Sequence, residues 1–297
     1  MADSKSKQAD SKSKPKHGNL WMRVATGVPL ALAAIGLMWL GGLWFTLLVA
    51  AAVWFAVSEL GIFLRRSGVE PQWYTAVVCT VGLTACAHFC SYARLAAVLL
   101  LSILAVCAGE VLRFPKRRLP ISGASSTIFL IMYCGWFPAH AVLLRRLQAS
   151  ELLGLETVSW SDMGLVLVGL LLLTCIATDV GAYAFGKMLG RHRLCPQVSP
   201  GKTVEGSLGG IALALLLSWG WSAWTGFPLV HCLVMTGVGS AAAQFGDLFE
   251  SALKRQIGVK DSGNLLAGHG GALDRLDSFL FTVPFFYIYV CLFLFKH

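Results

Sequence analysis

The sequence predicts an all-α polytopic integral membrane bundle of about nine transmembrane helices with a cytosolic N-terminus. Three observations carry that expectation. Of 297 residues, 56% are hydrophobic and only 13% charged, against about 25% charged in a soluble domain. Apolar runs follow one another along the chain, most of them near the ~20 residues a helix needs to cross the hydrocarbon core. Lys and Arg fall mainly in the short stretches between alternate runs, the positive-inside pattern. That distribution also argues against nucleic acid as the reason for the formal charge of +9. The nine cysteines are scattered through apolar runs without a C-x-x-C. They read as small buried packing residues; Cys86 and Cys90, which can share a helix face with His88 between them, are no exception.

Taken in order, residues 1–18 are polar and carry a near repeat, ADSKSK at Ala2–Lys7 and again at Ala9–Lys14. They lack the apolar core of a signal peptide and read as a disordered cytosolic tail. Spans are expected near 23–41, 43–64, 74–92, 95–112, 122–144, 162–185, 205–225, 227–250 and 275–295. This gives an N-terminal set of transmembrane helices over 19–160 and a C-terminal transmembrane region over 161–297, expected to be the catalytic one because it holds the polar, charge-rich stretches Gly186–Thr203 and Ser251–Ser278. The tail and the stretches near 65–73, 113–121, 186–204 and 251–274 hold most of the cations, while Arg94, Arg145, Arg146 and Lys296 fall on the other side. The bias places the N-terminus in the cytosol and His297 outside.

With that orientation the acids become informative. Each even-numbered span carries one near its cytosolic end: Glu59, Glu110, Asp179 and Asp247, with Glu250 a turn further on. An acid at a helix C-terminus faces the negative end of the macrodipole and is costly in a membrane, so it calls for nearby cations. Glu59 with Arg65 or Arg66, and Glu110 with Arg113, are expected as plain ion pairs. Asp179 and Asp247 stand beside glycine-rich loops and are expected to be functional. His88, His140 and His231, single in or beside apolar runs, read as structural.

Two polar stretches carry chemistry. Ser251 to Ser278, SALKRQIGVKDSGNLLAGHGGALDRLDS, cannot cross lipid, because its charges and irregular backbone would go unsatisfied there. Its glycines let backbone N–H groups approach a ligand, its cations suit phosphate oxygens, and carboxylates beside such cations point to a divalent metal. Gly186 to Thr203 is the second. Ser199-Pro200-Gly201-Lys202-Thr203 ends where an apolar helix begins, Thr203 can cap that helix with Glu205 nearby, and a helix N-terminus preceded by Lys and Ser is an anion site. The glycine spacing is not that of a Walker loop. Arg191, His192 and Arg193 form a cytosolic basic cluster explained by topology or by phosphate steering.

Lys254-Arg255, Lys260-Asp261, Gly268-His269-Gly270-Gly271 and Asp274-Arg275-x-Asp277 together resemble the signature of the phosphatidate cytidylyltransferases, also called CDP-diacylglycerol synthases. Asp179-x-x-Ala182-Tyr183-x-x-Gly186, followed by Ser199-Pro200-x-Lys202-Thr203, is similar to a second block of that family. Ala267 departs from a common proline and Val204 from a common aromatic residue. The two blocks cover about the C-terminal 40% of the chain. The resemblance implies that Asp247 and Asp274 bind Mg²⁺ together, with a second cation as an option. It implies a catalytic set of Asp247, Lys254, Arg255, Lys260, Asp261, Asp274 and Asp277. The substrate-binding set is Asp179, Ser199, Lys202, Thr203, His269, Gly270, Gly271 and Arg275. His269 is expected to contact phosphate or fix its loop.

The implied reaction is CTP + phosphatidate → CDP-diacylglycerol + diphosphate, at a site opening to the cytosol in the bilayer of a bacterial inner membrane. The lipid phosphate is largely an oxyanion at neutral pH, so the need is to bring two polyanions together rather than to supply a base. The partners implied are CTP, phosphatidate, the lipid bilayer and a second copy of the chain in a homodimer; the sequence itself carries no sign of oligomeric state. A CTP-dependent lipid kinase is the alternative enzyme. A transporter is the alternative outside catalysis, against which the acids cluster at one mouth and no inverted repeat is evident.

Overall fold

Nine apolar rods make up most of the described chain, at the places the run lengths predict. The computed structural model describes residues 17–113, 120–152, 160, 162–256, 258 and 271–295, with side chains of the first helix from Gly27 onward. The helices are α1 (His17–Leu40), α2 (Gly42–Arg66), α3 (Trp73–Phe89) and α4 (Tyr92–Arg113), then α5 (Pro120–Leu130) and α6 (Phe137–Arg146). After them come α7 (Met163–Leu189), α8 (Val204–Thr225), α9 (Leu229–Gln256) and α10 (Leu273–Phe293). Among the described residues seven rods are long and apolar enough to cross a membrane, and Gly27–Leu40 and Trp73–Phe89 are shorter apolar helices. The chain is an all-α integral membrane protein.

Two local features were not foreseen. A π-helical turn, Ile131–Trp136, joins α5 to α6 so that Ile121–Arg146 runs as one rod. Pro138 explains it: lacking an N–H, it cannot bond the carbonyl of Cys134, and the ladder widens so that Phe137 N–H reaches Met132 O instead. The second is a hairpin inside the expected loop 186–204. Strand β1 (Arg193–Cys195) pairs antiparallel with β2 (Ser199–Thr203), with Arg193 opposite Thr203 and Cys195 opposite Ser199.

Packing between rods follows membrane rules, in which small residues let backbones meet and hydroxyls bond across helices. A side chain at Gly181 of α7 would meet the Cα of Gly210 in α8 at 2.9 Å, so the two backbones touch. Thr178 donates to Ser240 of α9 at 2.9 Å, and Thr282 of α10 to the Gly239 carbonyl at 3.3 Å. Beneath the polar end, Phe129, Tyr133, Phe249 and Phe281 stack edge to face and close one core. At the far end of α7, buried Arg145 donates to both oxygens of Asp162 at 2.7 and 2.8 Å and to the carbonyl of Met38 at 2.9 Å. Asp162 in turn caps α7 by accepting from Leu165 N–H at 3.0 Å. Arg146 bonds the carbonyls of Ala87 and Cys90 at 2.6 and 3.0 Å. These two arginines, which ran against the charge bias, are anchors for the ends of α1 and α3. The histidines expected to be structural are bonded: His88 to Thr46, His140 to the Trp136 carbonyl and His231 to Tyr289.

Candidate active site

The hairpin is braced at each corner before any ligand is considered. Thr203 Oγ1 accepts the N–H of Gly206 at 3.1 Å, so it caps α8 as its position predicts. Glu205 accepts the N–H groups of Arg191 and His192 at 3.0 and 3.2 Å and pairs with His192 Nδ1 at 2.6 Å. Arg193 closes the turn by donating to Pro200 O at 2.6 Å. Arg255, at the end of α9, donates through Nε to Val198 O at 3.2 Å. The basic cluster therefore spends hydrogen bonds on holding the hairpin, and Arg255 ties the hairpin to α9.

That tie brings the two chemical stretches into one place. Lys202 Nζ lies 2.5 Å from Asp247 Oδ2, joining β2 to α9 across 45 positions of sequence. Lys254 Nζ lies 2.8 Å from Asp274 Oδ1 and 3.5 Å from Glu250. Asp274 Oδ2 accepts the N–H of Gly271 at 3.1 Å, and Asp277 accepts that of Ser278 at 2.6 Å. Asp274 sits in the first turn of α10, where the helix N-terminus favours negative charge, and Asp277 follows three positions on. A side chain on Gly246 would run into the backbone carbonyl of Asp277. The residue just before Asp247 must therefore be this small for α9 and α10 to meet, and the contact sets Asp247 beside Asp277. Asp179, from α7, lies within the fields of Asp277, Asp247 and Lys202. Glu59 of α2 accepts the N–H of Leu273 at 2.8 Å and Glu110 of α4 accepts from Gln72 at 2.7 Å. Arg65 lies over the ring of Trp73. Glu59 thus helps to place the start of α10.

A cavity of about 270 Å³ opens between these parts, lined by Asp179, Tyr183, Lys202, Thr203, Gln244 and Asp247 among others. Of the residues expected from sequence, Asp179, Lys202, Thr203 and Asp247 share this cavity. Ser199 opens β2 at its edge strand. Lys254, Gly271, Asp274 and Asp277 form the adjoining ionic cluster, and Arg275 with Asp274 and Asp277 faces a second, apolar groove that also reaches Asp179. Lys260, Asp261, His269 and Gly270 lie outside the described residues. Sequence reasoning missed Ser207 and Gln244, which hydrogen-bond each other across the cavity. Signals were present: Ser207 is one turn past the capping Thr203, and Gln244 is three positions before Asp247. Glu250 is fully buried, with Lys254 Nζ 3.5 Å from its Oε1.

Five acids, Asp179, Asp247, Glu250, Asp274 and Asp277, thus gather around Lys202 and Lys254. Crowded carboxylates at a membrane site are costly without further positive charge. Among the described residues no three ligating side chains already converge as a metal cage. Mg²⁺ seldom uses one; it takes one or two carboxylates and completes its shell with substrate phosphates and water. The donor set fits that mode.

A hairpin whose cation meets a helix carboxylate closes a polar cavity at one end of an apolar bundle, so the chain is a polytopic membrane protein with a charge-lined site. The profile of the cytidylyltransferase family matches residues 21–293, and the chain belongs to that family. It is 34% identical over 290 residues to the phosphatidate cytidylyltransferase of Synechocystis sp., covering 92% of this chain and 97% of the relative. It is 53% identical over 119 residues to the Bacillus subtilis protein of the same name, 39% of this chain and 44% of that one. A Staphylococcus aureus relative with that name is 48% identical over 110 residues, 36% of this chain and 42% of the other.

Proposed function

We propose that the protein is a phosphatidate cytidylyltransferase, converting CTP and phosphatidate to CDP-diacylglycerol and diphosphate. The observation that carries the reading is the Lys202–Asp247 pair, which sets the hairpin block against α9 in one cavity at the polar end of the bundle; the near full-length similarity to a relative of that name supports it. In the reaction a phosphatidate oxygen forms a bond to the α-phosphorus of CTP. The bond from that phosphorus to the bridging β-phosphate oxygen breaks, and diphosphate leaves with the electron pair. No base is required, because the attacking phosphate is already largely ionised at neutral pH. Lys202 leaves Asp247 to meet nucleotide phosphate, with the N-terminus of α8 behind it adding its dipole. Lys254 and Arg275 hold the lipid phosphate in line, and Asp274 fixes Lys254. Arg255 keeps the hairpin seated. A divalent cation, with Asp247 and Asp274 as its proposed protein ligands, would supply charge neutralisation for two polyanions that otherwise repel. We place the site at the cytosolic face, where CTP is available and where the charge bias puts both polar stretches.

The test is product identification by mass spectrometry after purified protein meets CTP, phosphatidate and Mg²⁺. A CDP-lipid with equimolar diphosphate supports the reading. CDP with a newly phosphorylated lipid would make the protein a lipid kinase instead.

A further inference from the structure

The polar cavity holds a pair of side chains that no step of the transfer uses. Gln244 lies one turn back along α9 from Asp247, and Ser207 lies one turn into α8; both line the cavity. Below them the space closes. Thr178 and Ser240, a further turn in, are fully buried and bonded to each other at 2.9 Å. A side chain on Gly206 would meet the Ala182 carbonyl at 2.7 Å, so α7 and α8 touch at this level.

A glutamine within a span is costly and needs partners. Its contact with Ser207 is in part the ordinary hydrogen bonding that joins membrane helices, yet it uses only half of the amide. Ser207 Oγ donates to Oε1, and Nε2 donates to the Ser207 carbonyl at 3.2 Å. Of the amide's two lone pairs and two protons, one of each is left over among the described residues. The contact also fixes which way round the amide stands. A carbonyl can only accept, so Nε2 must face it, and Oε1 is held on the side of the hydroxyl. The cavity is therefore offered an oxygen acceptor that cannot turn into a donor. Around it stand the ring of Tyr183 from α7 and Leu194 from β1, with Ala182 and Gly201 too small to fill the space.

We infer that Gln244 reads the base of the nucleotide, its Oε1 accepting a 4-amino proton of cytosine, and that Ser207 fixes this choice by holding the amide. The inference rests on the cytidylyltransferase reading above and deepens it. Uracil carries a carbonyl oxygen where cytosine carries the amino group. Against a fixed acceptor it sets lone pair against lone pair, and both oxygens lose water without gaining a proton. Tyr183 gives the ring a face to stack on, which favours no particular base. The volume of about 270 Å³ is just under the roughly 300–1,000 Å³ of small-molecule sites and suits a single ring better than a fused pair. Lys202, on the same cavity, keeps the phosphates.

The test compares CTP with UTP in two readouts: equilibrium binding to purified protein in detergent with Mg²⁺, by calorimetry, and kcat/KM at saturating phosphatidate. Gln244→Leu, apolar and of similar size, should weaken CTP by about two- to tenfold, the value of one hydrogen bond, without weakening UTP. The CTP/UTP ratio then falls by at least that factor. Ser207→Ala keeps the carbonyl but frees Oε1, and should lower the ratio by a smaller factor. Tyr183→Ala and Lys202→Ala should weaken both nucleotides alike and leave the ratio within about twofold. Inhibition by diphosphate, which has no base, should be the same in Gln244→Leu as in wild type, reporting a folded protein with its phosphate site intact. An unchanged CTP/UTP ratio in Gln244→Leu, or equal losses on CTP, UTP and diphosphate, would overturn the inference, while CDP-lipid formation by the wild type would leave the enzyme reading standing. A wild-type protein that prefers CTP to UTP in binding, loses that preference in Gln244→Leu and forms no CDP-lipid would remove the cytidylyltransferase reading and leave the base site standing.

Discussion

Lys202→Ala isolates the contact on which the two halves of the site depend. In the structure the ammonium is 2.5 Å from Asp247, and the two side chains are 26% and 33% exposed. That is wetter than a buried ion pair and drier than a surface one. Charged hydrogen bonds in this regime contribute about 1.5–3 kcal/mol. If the same ammonium serves nucleotide phosphate during turnover, its loss should lower kcat/KM for CTP by roughly ten- to 150-fold. The hairpin has its own braces in Thr203, Glu205, Arg193 and Arg255, so the melting temperature in detergent should stay near wild type. Groups that act as a unit are non-additive. The Lys202→Ala/Asp247→Asn double variant should therefore be little slower than Asp247→Asn alone, measured as CTP-dependent diphosphate release at saturating phosphatidate. Wild-type kcat/KM in Lys202→Ala, or fully additive losses in the double variant, would show that the pair is not part of the reacting site.

Asp274→Asn should lose both activity and its hold on Lys254, with the CTP rate falling by about two orders of magnitude and no rescue by raised Mg²⁺; a magnesium titration of initial rates checks this. Gly246→Val should push α9 from α10 at the Asp277 carbonyl, costing about 1–3 kcal/mol of overpacking and lowering the melting temperature together with activity. Arg145→Ala should destabilise the bundle by about 2–4 kcal/mol through the freed Asp162 and the uncapped ends of α1, while KM for CTP in the surviving fraction is unchanged. A reporter fused after His297 should be active outside the cytosol, and cytosolic activity there would reverse the proposed orientation.

The helical frame was legible because membrane length and backbone satisfaction leave the chain few options: an apolar run of about 20 residues becomes a rod. Thr203 was legible as a cap because the signal is local, a hydroxyl three positions before a free N–H. Lys202 and Asp247 were each legible as functional, but their pairing was not, since it depends on how the hairpin folds back over α9. The π turn went unseen because a proline near a helix start usually signals an ordinary boundary; only the continuous rod reveals its effect. Arg145 looked like an exception to charge bias, and its reason lies in the carbonyls of a helix more than a hundred residues away. The groove was invisible for the same cause. Ala34, Ala52 and Val168 are ordinary span residues until three helices bring them to one space.

The central claim is that the protein transfers a cytidylyl group to a lipid phosphate, and the fate of the CTP phosphates tests it most directly. Purified protein in detergent, with phosphatidate and Mg²⁺, would be given CTP labelled at the α-phosphorus in one reaction and at the γ-phosphorus in another, followed by organic extraction. The account predicts α label in the lipid phase and γ label in aqueous diphosphate, both lost in Asp247→Asn. Label from the γ-phosphorus in the lipid, with α label remaining in water as CDP, would contradict it.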